Sequence, residues 1–583
     1  VPLYAVDPGD VADARNLPPL YPGSAPRPGD PTTTVSVARA DPGAARHRQG
    51  AVGLSLESSD LADHRLSVEN ADLVTILDAL HGPTLRFGGN STDRRMFFTA
   101  RDEAVPTDWR LPEGQRITRV TPGDLTRVAA LAERTNASVI LSADLAHNDP
   151  DRAGELARAA NDALGDRLVG LMIGNEPNGY QQGADNPLTV EGPGWDPRAY
   201  SRRLGAYTAA VHREVPRLPI VAPGAYSAPW WNAAADTPGA DPMALAVHEY
   251  PLSECRSRWP HQRPTVANAA AAGTRARVDS FLGEAHAAAR PPDAPLWITE
   301  TSLSACAGSN EITETLAGAV YQADYALRAQ QLGAQRVAVH SSLAPCHGGP
   351  PMSPLCSDGT PAEPGQRFGV RANGLALALI ASIPDGTVSR ARTGAEDLTG
   401  FAVAHPDGST SLVLSDFRDP GGAGPRTTTV RLPRAAHRVT QAQLRARSWQ
   451  GTYPVAALFE RPDRAGQSAS AGGGAESSYP GDPHVALSVE AGLRGVGDDA
   501  AGVDGHGLPI APPQHRPAVA GVRAGAASFA VSLPAGSTTV LTIEAEHDTA
   551  RPGTAADPTG RGTPARRQEP GVPVRTTTRS GGR

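Results

Sequence analysis

From Val52 to His340 the chain alternates short apolar runs with segments of helical spacing. No other feature constrains the fold as strongly, because repeated strand–helix units build a parallel sheet covered by helices. Eight runs read as strands: Val52–Glu57, Thr84–Phe87, Ser138–Ser142, Leu168–Ile173, Pro219–Ala222, Ala244–Glu249, Pro295–Thr299 and Arg336–His340. Between them, Val68–Leu80 puts Leu73, Ile76, Leu77 and Leu80 on one face, and Pro122–Thr135 does the same with Leu125, Val128 and Leu131. Ile312–Leu332 is a third helix, stopping at Gly333. Eight such units in about 300 residues predict an α/β fold, a (β/α)8 TIM barrel. A doubly wound open sheet is the alternative, but no GxGxxG follows the first run.

Beyond about Asn373 the pattern becomes alternating. Gly400–Ala404, Ser411–Asp416, Thr427–Leu432, Val439–Leu444, Ala486–Glu490, Ser528–Leu533 and Thr538–Glu544 read as strands parted by turn residues. They predict an antiparallel β-sandwich after the barrel. A chain of 583 residues has room for both domains and for tails. The expected boundaries are an extended or disordered leader at 1–32, a strand segment at 33–50 that joins the C-terminal β-domain, the barrel at 51–372, the sandwich at 373–548 and a disordered, arginine-rich tail at 549–583.

Composition removes several functional classes. A net charge of −7 argues against nucleic acid as the partner. No apolar run approaches the roughly 18 residues that a membrane span needs. The chain contains no lysine, which excludes a lysine Schiff base, a pyridoxal-phosphate anchor and a P-loop lysine. The first residue is Val and no signal peptide is visible. The cysteines are Cys255, Cys306, Cys346 and Cys356, and their even number suggests disulfides with several pairings open. Cys346 and Cys356 enclose a Pro/Gly-rich loop, which favours a local bridge and leaves Cys255 with Cys306. No CxxC or HxxxH spacing points to a metal. Oxidised pairs imply a secreted or extracytoplasmic protein.

Two of the apolar runs lead into a glutamate. Leu168–Ile173 precedes Gly174-Asn175-Glu176-Pro177-Asn178, and Pro295–Thr299 precedes Glu300. In a barrel both positions fall on the rim at the carboxyl ends of the strands, the fourth and the seventh. Paired carboxylates over one pocket are the working parts of glycoside hydrolysis. We therefore assign Glu176 as acid/base and Glu300 as nucleophile. Pro177 predicts extended backbone at Glu176, and Asn175 is suited to bond a sugar hydroxyl. Tyr250, beside His248 at the end of strand six, is suited to hold Glu300. Trp230 and Trp231, after strand five, offer aromatic faces to a sugar ring.

Four segments carry a family resemblance: Leu85-Arg86-Phe87-Gly88-Gly89-Asn90-Ser91-Thr92-Asp93, Ile173–Asn178, Val247-His248-Glu249-Tyr250-Pro251-Leu252-Ser253-Glu254-Cys255 and Trp297–Ser302. With these the chain resembles the heparanase-like retaining β-glucuronidases, family 79 of the glycoside hydrolases. Asn-Glu-Pro is shared across the clan of barrel glycosidases; Leu-Arg-Phe-Gly-Gly is more specific to the family. The resemblance spans about Val52 to Asn373, and the trailing β-domain fits it. It implies an acid/base at Glu176, a nucleophile at Glu300, sugar contacts from Asn90 and Asp93, and backbone donors to a uronate carboxylate from the stretch holding Ala307 and Gly308. Two places depart from the pattern. Cys306-Ala307-Gly308 stands where the family often has Gly-Gly, and Arg371-Ala372-Asn373 where it tends to place a tyrosine. Arg371 offers a bidentate partner for a carboxylate.

The expected activity is exo-β-glucuronidase, removing terminal β-linked glucuronic acid from a glycoside by double displacement, with no cofactor required. The alternatives are a retaining glucosidase or galactosidase acting on a neutral sugar, and a non-catalytic carbohydrate-binding protein. The sequence leaves the oligomeric state open.

Overall fold

The computed structural model describes residues 30–545 apart from 40, 42, 108, 110, 112–115, 182–188, 254–257, 290–293, 306–309, 347–348, 447, 453–485, 489–518 and 520–521. Eight parallel strands close into a barrel: Val52–Glu57, Thr84–Gly88, Ser138–Ala143, Leu168–Ile173, Ile220–Ala225, Met243–Glu249, Leu296–Thr301 and Ala334–His340. Each pairs with its sequence neighbour, and the eighth pairs with the first. Ile140, Met172, Val221, Ala244, Ala246 and Trp297 fill the interior as one cluster. The outward residues pack on the helices. Helix Pro122–Arg134 begins with a Thr121–Asp124 capping box and a proline in its first turn, which satisfies the donors its N-terminus exposes.

Helix Leu316–Gln331 is buried along almost its entire length. It is covered from both sides, by the barrel and by the second domain, so even its polar side chains Gln322, Asp324, Arg328 and Gln330 are buried. Val388, Phe401, Val413 and Val540 of that domain share one continuous core with it. Helix Ala372–Ala381 leads out of the barrel.

The second domain is a mixed sheet system bent into two layers around its own core, which includes Val35, Leu412, Val430, Phe529 and Leu541. Two runs in the sequence prove to be one strand, Arg426–Arg445. Its first half pairs with Thr32–Ser36 and Ala526–Leu533, its second half with Ser537–Ala545 and Ala486–Ser488. Ladder pairing shifts between Arg431 and Ala436, where the strand passes from one layer to the other. One expectation is corrected here: pairing is antiparallel except at Thr32–Ser36, which runs parallel to Thr427–Arg431. A parallel neighbour needs a long connection, and the whole barrel lies between these two strands. Arg46–His47 adds a short edge strand on Gly386–Arg390.

Cys346 and Cys356 are bonded, S–S 2.08 Å. Cys255 and Cys306 lie outside the described residues, as do Ala307, Gly308, the leader before Asp30 and the tail at 549–583. Among the described residues no helix is long and apolar enough to cross a membrane.

Candidate active site

The side chains at the carboxyl end of the barrel converge on Arg86. This residue is on strand two, points inward and is fully buried. Its Nη1 donates to Glu300 Oε2 at 2.6 Å and to Ser55 Oγ at 2.9 Å, and its Nη2 donates to Asn175 Oδ1 at 2.6 Å. Gly88 is two residues on, so it faces the same interior. A Cβ there would lie 1.9 Å from the Arg86 Cζ. The small residue leaves the volume that the guanidinium fills.

Glu300 receives a second donor. Tyr250 Oη donates to its Oε1 at 2.5 Å, and His340 Nδ1 lies 2.7 Å from the same hydroxyl. If the hydroxyl proton goes to Glu300, His340 carries its proton on Nδ1. Burial alone would raise the Glu300 pKa, but His248, His340 and Arg86 outweigh it and hold the carboxyl well below its ordinary value. His340 responds in the opposite sense: burial lowers it, yet Glu300 raises it overall. The base of the site thus holds an ionised carboxylate between fixed donors.

Glu176 is placed differently. Its side chain is 24% exposed, so it meets the cleft. His248 Nδ1 lies 3.0 Å from Glu176 Oε1, and His248 Nε2 lies 3.0 Å from Thr299 Oγ1. A hydroxyl can donate or accept, so Thr299 lets the ring serve Glu176 in either protonation state. The backbone at Glu176 is left-handed, φ 51° and ψ 55°, which corrects the extended conformation expected before proline. Its N–H donates to Gly224 of strand five, and Gly179 N–H closes a turn on its carbonyl. Those two bonds override the local preference, and such strain is characteristic of functional positions. Trp195 Nε1 donates to Pro177 O at 2.8 Å, and Tyr180 stacks on the Trp195 ring. An aromatic layer therefore supports the loop from behind. One oxygen of Glu176, one of Glu300 and a ring nitrogen of His248 lie within 4.8 Å of one another. These three could in principle ligate a cation, but Arg86 is 2.6 Å from Glu300. That guanidinium makes the set a poor cation site.

The remaining residues divide. Asn175 is buried, and the Arg86 bond to its Oδ1 leaves Nδ2 available to a ligand. Asn90 is exposed at the rim and its Oδ1 accepts from Arg94. Asp93 is corrected from a sugar contact to a support. It is fully buried, with Oδ2 accepting from Asn175 N at 2.7 Å and Oδ1 from Leu145 N at 2.8 Å. Burial, with Asp144 nearby, pushes its pKa up to about 6. Trp231 is also corrected. It is 1% exposed, its Nε1 donates to Ala225 O, and it packs edge-on against Phe281, so it belongs to the core. Arg371 does not offer a carboxylate clamp: its Nε pairs with Glu314, and its other nitrogens donate to carbonyls of Cys346, Pro350 and Ser353.

Sequence reasoning passed over Arg86, His340 and Tyr226 as site residues. Arg86 and His340 are charged residues in or at the end of an apolar strand, the same signal that marks the glutamates. Tyr226 follows strand five, is 51% exposed and hydrogen-bonds Asn178. Burial and the Glu176 charge both raise its pKa, so the phenol lies close to Glu176.

Fold and rim together define a closed (β/α)8 barrel with a paired-carboxylate centre at the strand ends and a β-sandwich behind it. Comparison with solved structures gives the same architecture. A 4-O-α-L-rhamnosyl-β-D-glucuronidase from Fusarium oxysporum 12S matches with TM-score 0.58 and 16% identity, covering 88% of this chain and 100% of its own. A GH51 arabinofuranosidase from Xanthomonas axonopodis pv. citri matches with TM-score 0.58 and 12% identity, covering 88% and 99%. A monomeric β-xylosidase from Caulobacter crescentus CB15 matches with TM-score 0.52 and 14% identity, covering 88% and 99%. No protein-family model and no curated protein sequence matches the chain.

Proposed function

We propose that this protein is a retaining glycoside hydrolase and that its substrates are terminal β-glucuronides. The observation that carries the reaction class is the contrast between two adjacent carboxylates. Glu300 is sealed among Arg86, Tyr250 and His340, while Glu176 opens to the cleft within 4.8 Å of it. Retaining enzymes hold these groups about 5–5.5 Å apart, and inverting enzymes hold them farther apart to admit a water. The solved structures of like fold include a rhamnosyl-glucuronidase, an arabinofuranosidase and a xylosidase, which supports the class.

In the first step a Glu300 oxygen attacks the anomeric carbon and Glu176 gives its proton to the departing glycosidic oxygen. A covalent glycosyl ester forms on Glu300. In the second step Glu176 takes a proton from water, the water oxygen bonds the anomeric carbon, and the ester breaks. Asn175 Nδ2 is the donor for a ring hydroxyl beside the reacting carbon. When the ester breaks and charge returns to Glu300, Arg86 on Oε2 and Tyr250 on Oε1 stabilise the re-formed carboxylate.

The glucuronide assignment rests on the family resemblance of Leu85–Asp93 and Trp297–Ser302. A second reading, a neutral glycoside, is favoured by Arg371, which is committed to Glu314 and loop carbonyls. Nitrophenyl β-glucuronide, β-glucoside, β-galactoside, β-xyloside and α-arabinofuranoside, assayed side by side, separate the two. Highest kcat/KM on the glucuronide supports the proposal; a neutral sugar ahead of it overturns the substrate and keeps the class. Glu300→Ala should lose at least about 10⁴-fold in kcat. Wild-type turnover in that variant would remove the mechanism.

A further inference from the structure

The opposite end of the barrel carries a second polar centre. Arg336 is on strand eight, near its start, and its guanidinium lies 5.1 Å from the centre of the Trp297 ring that floors the barrel interior. Nη1 donates to Thr84 Oγ1 at 2.6 Å and to Ser138 Oγ at 2.7 Å, the first residues of strands two and three. Both partners are neutral. Among the described residues Nε and Nη2 have no hydrogen-bond partner, and neither is sealed from solvent.

These free nitrogens face a cleft of about 420 Å³ between the barrel mouth and the segment that precedes strand one. Arg46, Arg48, Gln49 and Gln330 line it with Arg336. Among the described residues none of the three arginines is paired with a carboxylate. Burial and the Arg48 charge lower the Arg336 pKa to about 10, and no acidic group offsets them. Three buried arginines elsewhere are matched by carboxylates: Arg86 by Glu300, Arg328 by Asp324 and Asp279, Arg426 by Asp416 and Asp397; buried Arg275 instead donates to the carbonyls of Ala270 and Glu396. A desolvated guanidinium facing further like charges is costly unless an anion joins it.

We infer that this cleft binds a multiply charged tetrahedral oxyanion, a phosphate or sulfate group, alone or borne on a small molecule. Guanidinium forks match the oxygens of such a group in pairs. The cleft is larger than one phosphate, so there is room for an attached organic part. It lies at the amino ends of the strands, where a barrel's residues serve stability and not the reaction. Occupation should therefore stabilise the fold without entering the active site.

The full chain, titrated with inorganic phosphate at constant ionic strength with sodium chloride as balance, tests this by calorimetric titration and thermal unfolding. One saturable site is expected, with Tm rising by several degrees at saturation and sulfate acting alike. Arg48→Ala, an exposed position, should weaken binding at least about tenfold, and Arg46→Ala should weaken it in the same direction. No saturable heat, a Tm rise reproduced by chloride, unchanged affinity in Arg48→Ala, or binding of citrate in preference to both tetrahedral ions would each overturn the inference.

Discussion

At the scale of single residues, Arg86 ties Ser55, Asn175 and Glu300 into one buried network. A buried guanidinium without a matched anion is costly, and Glu300 supplies the anion for Arg86. His248 and His340, together with this contact, keep Glu300 ionised, so the carboxylate is nucleophilic across the usual pH range. The sign follows from the lowered pKa: its contribution to stability is present above the ordinary carboxylate value and is lost as pH falls through the lowered one. His340 has the reverse linkage. Its contribution is full below the ordinary histidine value and is lost as pH rises through the raised one. His340→Gln should therefore move the acid limb of kcat/KM upward, toward ordinary carboxylates, as read from a pH–rate profile. Tyr250→Phe removes a charge-assisted bond of about 1.5–3 kcal/mol and should cost roughly 10–150-fold in kcat. Gly88→Ala is a sharper probe, because the new methyl would occupy the place of the guanidinium. We expect more than about 100-fold loss of kcat/KM. Far-ultraviolet circular dichroism of the variant should stay that of the wild type, and unimpaired kinetics would show that Arg86 need not stand where it does.

At the scale of elements, parity decides which strand-end charge reaches the pocket. His248, Glu249 and Tyr250 are consecutive, and alternate side chains face opposite ways. His248 and Tyr250 reach the glutamates, while Glu249 turns outward and accepts from Tyr325 Oη at 2.9 Å. The sequence marks all such residues alike; Glu300 was legible because it pairs with Glu176 as a second carboxylate, whereas Arg86 and His340 had no such partner to set them apart. The barrel strands were legible because most are apolar runs buried on both faces, and even Ala334–His340, with Gln335 and Arg336 near its start, keeps the apolar run Val337, Ala338 and Val339. Short pieces such as Arg46–His47, and the hairpin Leu355–Gly359 with Pro364–Val370, carry no such run. Trp231 and Asp93 were misread because an aromatic or polar residue after a strand can turn inward as readily as toward the cleft. The outward glutamate leads to a prediction. Burial raises the Glu249 pKa to about 8, so the stability it contributes is present below the ordinary carboxylate value and is lost as pH climbs toward 8. Glu249→Gln should match the wild type near pH 4 and melt a few degrees higher near pH 8, as followed by scanning calorimetry. A wild-type advantage at both values would contradict a protonated Glu249 in the fold.

For the whole molecule, barrel and β-domain are tied twice. Helix Leu316–Gln331 lies between them, with Arg328 bonded to Asp324 and Asp279 beneath Phe401. The segment before the barrel forms the second tie. Thr32–Ser36 fills a place in the β-domain beside Arg426–Arg445, burying Val35. His47 then bonds Gln330 of the same helix at 2.9 Å and Ile383 O at 3.0 Å. A chain that enters one domain, builds the other and returns must complete the first domain late, since that parallel pairing spans the barrel. Starting the protein at Ala51 removes this strand, opens the edge at Thr427–Arg431 and uncovers Val430. Such an edge invites pairing with other chains. The truncated protein should therefore aggregate, or melt at least several degrees lower, even though every residue of the carboxylate site remains. A peptide covering residues 30–50, added in trans, should recover part of the lost Tm. Intact melting behaviour without the segment, measured by light scattering and calorimetry together, would show that the β-domain is complete without the segment.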